Sequence, residues 1–246
     1  MDMGLTEPRR WQHPYPIMAS LTGSRCLVIG GGQVAERKVR SLLNAGAHVT
    51  VIAAEFSEGL AGLSGVVLRR ETFNVQTLDE AGVYLLLVAA TNDKEVNARI
   101  ARYAMERSML INVVDQPELS TFIMPSVVRR GKLVIAVSTA GASPSAARRI
   151  VKEIDAAYGE EYEMYLDFLS RVRLLVQERV TNKEARQKLF KEMLDWDLLG
   201  MIRQGDFGGW SEVFYQALEQ QPWMSGQGEA KEAPSWAFLA AIGWHA

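Results

Sequence analysis

The sequence has little of what several common classes of protein require. It contains one cysteine, Cys26, so no disulfide can form within the chain. The histidines, His13, His48 and His245, are far apart, and no paired-cysteine, His-x-x-x-His or dense carboxylate motif offers a permanent zinc site. A nucleophile elbow and a Walker lysine loop are missing as well. These absences argue against disulfide scaffolds, zinc enzymes, hydrolases of that type and phosphotransferases.

Charge and hydropathy argue against further classes of protein. The net charge of -2 offers no broad attraction for nucleic acid or for an anionic membrane. The opening residues, MDMGLTEPRRWQHPYP, lack the apolar stretch of a signal peptide, and no window holds the ~20 apolar residues that a membrane span requires. We therefore expect a cytoplasmic protein that binds neither nucleic acid nor membrane.

The first part of the chain alternates short apolar strands with helical patterns. Strands are predicted at residues 26–29, 49–53, 66–68, 83–89 and 110–114. The fourth is continuously apolar, as expected of a strand covered on both faces. Helices separate the strands, and this alternation predicts an α/β fold with a parallel, doubly wound sheet.

A glycine-rich segment joins the first strand to the first helix. Gly30, Gly32 and Ala35 form a G-x-G-x-x-A pattern in which the first glycine allows a tight turn and the second lets the backbone approach a pyrophosphate. The helix then presents free N–H groups to the phosphates. Its charged residues, from Glu36 to Arg40, are predicted to point away from the sheet. The pattern predicts a Rossmann-type dinucleotide site, with a purely structural turn as the alternative.

The end of the second strand bears on the choice of cofactor. Glu55 lies near the place where an acid binds the ribose hydroxyls of NAD, although it comes a residue or two late. No Arg or Lys occurs in residues 56–59, so the 2′-phosphate of NADP would lack a cation. The sequence favours NAD over NADP.

Polar residues also follow the fourth and fifth strands, at the edge of the sheet where ligands of such folds bind. Thr91 can approach the cofactor or, with Asp93, cap the next helix. Asp115 can accept a proton from a substrate or serve as a cap, and both interpretations stay open.

The pattern changes after Asp115, where we place a domain boundary. Residues 121–124 and 133–138 are predicted as two strands, either of a hairpin or paired at an edge, with residues 129–132 as a basic linker. A helix then begins at Ser143 and Pro144, with Arg148 in its first turns. Hydroxyls, free amides and arginines suit a carboxylate-rich ligand, and a capped helix with solvated arginines is the alternative.

The remaining sequence is mostly helical in pattern up to residue 218. Breaks are predicted near residues 158–159, 181–182 and 205–209, before a last helix at about residues 211–219. The tail from residue 222 carries an apolar cluster at residues 236–244. This cluster is either a helix docked on the body of the protein or an element that docks on a partner.

These motifs together resemble the siroheme synthase N-terminal family, whose members include precorrin-2 dehydrogenases and a yeast bifunctional dehydrogenase–ferrochelatase. The resemblance covers residues 15–218 and leaves the tail outside. It is carried by residues 28–38, 89–93, 112–115, 120–125 and 138–144.

The resemblance implies NAD-dependent oxidation of precorrin-2 to sirohydrochlorin, a step of siroheme biosynthesis. It implies a catalytic role for Asp115. It also implies contacts to NAD, largely through the backbone, from Gln33, Val34, Ala54 and Glu55.

For the tetrapyrrole substrate, the resemblance implies contacts from Thr139, Ser143 and Arg148, with the cations of residues 129–132 at its rim. Relatives often have serine at the position of Thr139. Family members dimerise through the middle segment, so we expect a homodimer. The expected organisation is an NAD-binding Rossmann domain (1–115), a dimerisation segment (116–152), a helical domain (153–221) and a tail of unknown role (222–246).

Two other functions remain possible from the sequence. Some relatives also insert Fe²⁺ into sirohydrochlorin, and the sequence does not settle whether this chain does. An NAD-sensing regulatory domain would have the same glycine loop, but it would not need Asp115.

Overall fold

The structure, a computed structural model, describes residues 14–74, 83–224 and 234–243. Contacts divide the chain into a first unit, Met1–Pro125 with Thr139–Ser143, and a second unit, Ser126–Ser138 with Pro144–Ala246. The boundary expected at Asp115 thus falls inside the first unit. Among the helices of the described residues, none combines the length and apolar character needed to cross a membrane.

The first unit is built on a parallel five-stranded sheet in the order β3-β2-β1-β4-β5. The chain moves from β1 outward to β3 and then returns to the other side of β1, so the strand order reverses between β1 and β4. A crevice at the carboxyl ends of the strands is expected at such a point. The predicted doubly wound fold is confirmed. The strands are β1 Arg25–Ile29, β2 His48–Ala53, β3 Val66–Arg70, β4 Leu86–Ala89 and β5 Leu110–Val113.

Hydrophobic layers cover both faces of this sheet. On β1, Leu27 and Ile29 belong to one layer, whereas Cys26 and Val28 belong to the other. Cys26 is fully buried, and burial raises the pKa of its thiol. Such a strand carries no polar face, which is why its sequence is a continuous apolar run. The helices of the unit are α1 Gln33–Asn44, α2 Glu58–Ala61 and α3 Lys94–Glu106.

The second unit opens with an antiparallel pair, β6 Ser126–Arg130 and β7 Leu133–Val137. The strand predicted at residues 121–124 is wrong. Thr121 instead lies beside β5, where its Oγ1 accepts from the Ile111 N–H at 2.8 Å and its own N–H donates to the Ile111 carbonyl at 2.8 Å. Pro125 has no N–H to donate, so the β ladder begins after it. Two of the basic residues expected in the linker therefore lie in β6.

Five α-helices follow in the described part of the second unit. The predicted breaks near residues 158–159 and 181–182 are confirmed. The last α-helix begins at Phe207, four residues before the predicted start, so that Gly208 and Gly209 lie in its first turn. A further break, at residues 193–197, was not predicted. The helices are α4 Pro144–Ala157, α5 Glu161–Arg179, α6 Lys183–Glu192, α7 Leu198–Gln204 and α8 Phe207–Glu219.

The tail docks on the core of the second unit through a 3-10 helix, Ala237–Ile242. Trp236 is buried, and its indole N–H donates to the Leu189 carbonyl at 2.9 Å. Its ring meets that of Trp196 edge to face with centroids 5.3 Å apart, a favourable aromatic arrangement. Residues 225–233 and Trp244 lie outside the described residues. Of the two alternatives for the tail, the described residues agree with a helix docked on the body of the protein.

Replacing Trp236 tests how much this docking stabilises the unit. Trp236→Ala is expected to lower the free energy of unfolding by about 3–5 kcal/mol, because it leaves a cavity and removes the indole hydrogen bond to the Leu189 carbonyl. Trp236→Phe keeps most of the packing and should cost about 1 kcal/mol. Urea unfolding followed by circular dichroism measures both. Leu194→Ala, at a side chain that is 62% exposed, is the control expected to change little. An unchanged midpoint for Trp236→Ala would contradict the docked position.

Candidate nucleotide-binding and catalytic site

The three consecutive glycines after β1 have different surroundings. At Gly30, where φ is +125°, an added Cβ would lie 2.3 Å from the carbonyl oxygen of Ala90. At Gly31 it would lie 1.8 Å from the carbonyl oxygen of Glu55, a contact that no side chain permits. At Gly32 it would meet no protein atom within 4 Å. Because Gly30 and Gly31 have no side chains, the loops that carry Ala90 and Glu55 can lie directly against the glycine loop. Gly32 faces open space.

That open space lies at the amino end of α1. Gly32 is the N-cap residue and provides no side-chain hydrogen bond to the first turn. The leading N–H groups of a helix have no acceptor within the helix, so those of Gln33 and Val34 are available to a ligand. Ala35 is fully buried and lets the helix pack close to the sheet. Free amides, the positive end of the helix dipole and unfilled volume at Gly32 together fit the diphosphate of NAD.

The loop after β2 carries Ala54 and Glu55 and is bonded directly to the glycine loop. The N–H of Ser57 donates to the Gly31 carbonyl at 2.7 Å. Together with the contact of the Glu55 carbonyl at Gly31, this bond holds the expected ribose-binding segment beside the phosphate loop. The side chain of Glu55 itself is exposed.

Glu36, which was predicted to point away from the sheet, reinforces the same connection. Its carboxylate accepts from the Arg40 guanidinium at 2.8 Å and from the Ser57 hydroxyl at 2.8 Å. These hydrogen bonds lower the pKa of Glu36, the one from Arg40 most. Lys38 was also expected to point away, yet it is half-buried, and burial lowers its pKa, with a smaller effect from Arg37. Periodicity marks apolar faces and does not reveal such partners.

The loop after β4 contributes Thr91, whose hydroxyl is engaged within the loop. It donates to Asn97 Oδ1 at 2.8 Å or to the Asp93 carbonyl at 3.0 Å, and it accepts from the Asp93 N–H at 3.2 Å. The Asp93 carboxylate caps α3 by accepting from the N–H groups of Glu95 and Val96. Capping by Asp93 is therefore confirmed.

Asp115 follows β5 and has a left-handed backbone with φ of 59°. Its side chain is exposed. It does not cap the next helical turn, Pro117–Leu119, whose N-cap residue is Gln116. Positive φ is uncommon in residues other than glycine, and it persists only where neighbouring structure imposes it.

A fully buried serine fixes the loop that carries Asp115. Ser120 Oγ accepts from the Val113 N–H at 2.9 Å and lies within donating distance of the Val113 and Gln116 carbonyls. These bonds join the two ends of the loop. Periodicity carries no signal for this role, which depends on hydrogen bonds between the two ends of the loop.

The residues expected at the substrate are divided between the two units. Thr139 and Ser143 belong to the first unit, where the Thr139 hydroxyl donates to the Ser143 carbonyl at 3.1 Å. Arg148 lies on α4 of the second unit, where its guanidinium donates to the neutral Ser145 hydroxyl at 3.2 Å. Arg130 is paired with the Asp155 carboxylate at 2.7 Å, and Lys132 is paired with Asp167.

Substitution at Gly32 tests the placement of the diphosphate. Gly32→Asp should fold normally, because its new side chain meets no protein atom nearby, while its bulk and charge oppose the diphosphate. We expect the Kd for NAD, measured by calorimetry, to rise at least about 100-fold with little change in Tm. The matched control is Gly62→Asp, in the turn after α2, which should leave the Kd unchanged. Unaltered NAD affinity in Gly32→Asp would show that the cofactor binds elsewhere.

Comparison with known proteins agrees with this geometry. A family model for NAD(P)-binding domains matches residues 17–126. The chain is 36% identical over 217 residues to a siroheme synthase of Methylobacillus flagellatus, an overlap of 87% of this chain and 44% of that protein. It is 34% identical over 208 residues to a siroheme synthase of Nitrosomonas europaea, an overlap of 83% and 43%. The chain thus spans less than half the length of these relatives.

One solved structure matches this chain over a larger share of its own length than these siroheme synthases do. The structure of SirC, precorrin-2 dehydrogenase, matches 81% of this chain and 100% of that chain, with a TM-score of 0.67 and 28% sequence identity. The chain is thus similar over most of its length to part of these siroheme synthases, and to the whole of the SirC chain.

Proposed function

We propose that this chain oxidises precorrin-2 to sirohydrochlorin, with NAD as the hydride acceptor, in siroheme biosynthesis. One observation carries the proposal. The glycine loop with its free helix terminus and the exposed Asp115 follow strands β1 and β5, which are separated by β4 alone in the same parallel sheet. Neighbouring strands lie about 4.8 Å apart, so the two features are about 10 Å apart along one edge.

The chain's own groups would hold the cofactor at that edge. The amides of Gln33 and Val34 would bind the diphosphate, and Gly32 would leave room for it. The backbone of Ala54 and the carboxylate of Glu55 would contact the adenosine ribose. Bound NAD supplies an acceptor for a hydride. Its nicotinamide half would extend past β4 toward Asp115.

Asp115 is the proposed base. The oxidation breaks two bonds to hydrogen and forms one double bond, with one hydrogen leaving as hydride and the other as a proton. An exposed carboxylate at the carboxyl end of β5 is placed to take that proton. Ser120 holds the two ends of its loop together, so the backbone that carries the carboxylate is in place before the substrate arrives.

The substrate carries many carboxylates, and Thr139, Ser143 and Arg148 are its proposed contacts. Arg148 is exposed and bonds to a neutral hydroxyl, so its charge remains available. Arg130 and Lys132 would have to leave the carboxylates of Asp155 and Asp167 to serve at the rim. Arg148 is therefore the stronger candidate for binding a substrate carboxylate.

A homodimer is part of the same proposal. Among the described residues, β6 and β7 pair with each other alone, so each presents an open edge, and Val127 on β6 is 44% exposed. Open edges of this kind are suited to pairing with another chain. The cytoplasmic location remains a prediction from the sequence.

Replacing the proposed base separates chemistry from cofactor binding. Asp115→Asn keeps the size of the side chain but removes the proton acceptor, so NADH formation from precorrin-2 should fall by about 10²–10⁴-fold. The Kd for NAD should stay the same. Absorbance of NADH under anaerobic conditions measures the rate, and calorimetry measures the binding.

Glu106→Gln is the matched control, since it neutralises an exposed carboxylate at the opposite end of α3 from the site. Its rate should equal that of the wild type. Near-normal turnover by Asp115→Asn would remove Asp115 from catalysis. NAD binding by the wild type without any turnover would contradict the enzymatic proposal and favour an NAD-sensing domain.

A further inference from the structure

Asn97 is one of three buried polar residues in the described part of the chain, with 3% of its surface exposed. Its side chain makes three hydrogen bonds, all to Thr91. Oδ1 accepts from the Thr91 N–H at 3.3 Å and from the Thr91 hydroxyl at 2.8 Å, and Nδ2 donates to the Thr91 carbonyl at 3.0 Å. Both backbone polar groups of Thr91 are thus bonded to one carboxamide six residues along the chain.

These bonds do not serve the start of α3. The N-terminal N–H groups of that helix are capped by Asp93, which accepts at 2.8 and 3.1 Å. A buried carboxamide contributes less to packing than an apolar side chain of the same size, because its polar groups must find partners. The role of Asn97 therefore lies in the loop to which it bonds.

That loop forms part of the wall of the proposed NAD site. The N–H of Ala90 donates to the Ile29 carbonyl at 2.8 Å. The carbonyl of Ala90 faces Gly30 so closely that a Cβ there would lie 2.3 Å away. A shift of the Ala90–Thr91 backbone would alter the space beside the glycine loop directly.

We propose that Asn97 is a positioning residue for NAD: it holds the Ala90–Thr91 backbone against Gly30 and does not itself touch the cofactor. The inference rests on the proposed function. Because the single hydrogen of the Thr91 hydroxyl is used within the loop, the loop contributes its shape and backbone to the site. Asn97 acts before hydride transfer, so it affects the binding of NAD and leaves the chemical step unchanged.

The test compares Asn97→Ala, Thr91→Val and the double variant in the full chain, with NAD as the probe. Asn97→Ala should raise both the Kd and the KM for NAD at least about 10-fold, while kcat at saturating NAD stays within about 2-fold. Thr91→Val removes one of the three bonds and should raise the Kd about 2–3-fold. In the double variant the effect of Thr91→Val should be smaller than in the wild type, because the bond to Asn97 is already gone and only the bonds of the hydroxyl with Asp93 are left to lose.

Asp93→Ala is the control for lost stability. It removes the cap of α3 and should lower Tm, while the Kd for NAD stays unchanged. If Asn97→Ala does not fold, Asn97→Asp carries the same test, because it has the same shape but lacks the Nδ2 donor.

The possible outcomes separate this inference from the proposed function. Wild-type Kd in the Asn97 variants, a fall in kcat with unchanged KM, or an equal rise of Kd in Asp93→Ala would each overturn the positioning role. Failure of the wild type to bind NAD would instead overturn the proposed function.

Discussion

The first unit depends on one close contact between backbones. At the carboxyl edge of its sheet, the glycine loop lies against the carbonyl of Glu55 on one side and that of Ala90 on the other. No side chain fits at Gly30 or Gly31, so three loops meet there through their main chains. Hydrogen bonds from Ser57 and Ala90 secure the contact on each side.

Three polar side chains keep the surrounding loops in place. Glu36 holds the loop after β2, Asn97 holds the loop after β4, and Ser120 holds the loop after β5. Asn97 and Ser120 are buried and Glu36 is partly buried, and each bonds to the backbone or hydroxyl of a loop. The groups proposed to meet the ligands, such as the α1 amides and Asp115, are by contrast open. This division between supporting and ligand-facing groups is what a preorganised site requires.

The sequence revealed those features that depend on local pattern. The strands of the parallel sheet, the glycine loop and the start of α4 follow from periodicity and turn chemistry, which neighbouring residues decide. It did not reveal the strand at Ser126–Arg130, which was expected at residues 121–124. Thr121 bonds to β5 instead, and a bond between two separate segments leaves no local pattern in the sequence. The hydrogen bond between Ser57 and Glu36 was missed for the same reason, because its partners are 21 residues apart in the sequence.

The central claim is that one edge of the sheet holds NAD with its nicotinamide directed toward Asp115. A crystal structure of this chain with bound NAD tests it most directly. The account predicts the diphosphate within hydrogen-bond distance of the Gln33 and Val34 amides, and the nicotinamide ring on the β5 side of β4. A diphosphate away from Gly32, or a nicotinamide directed toward β3, would contradict it.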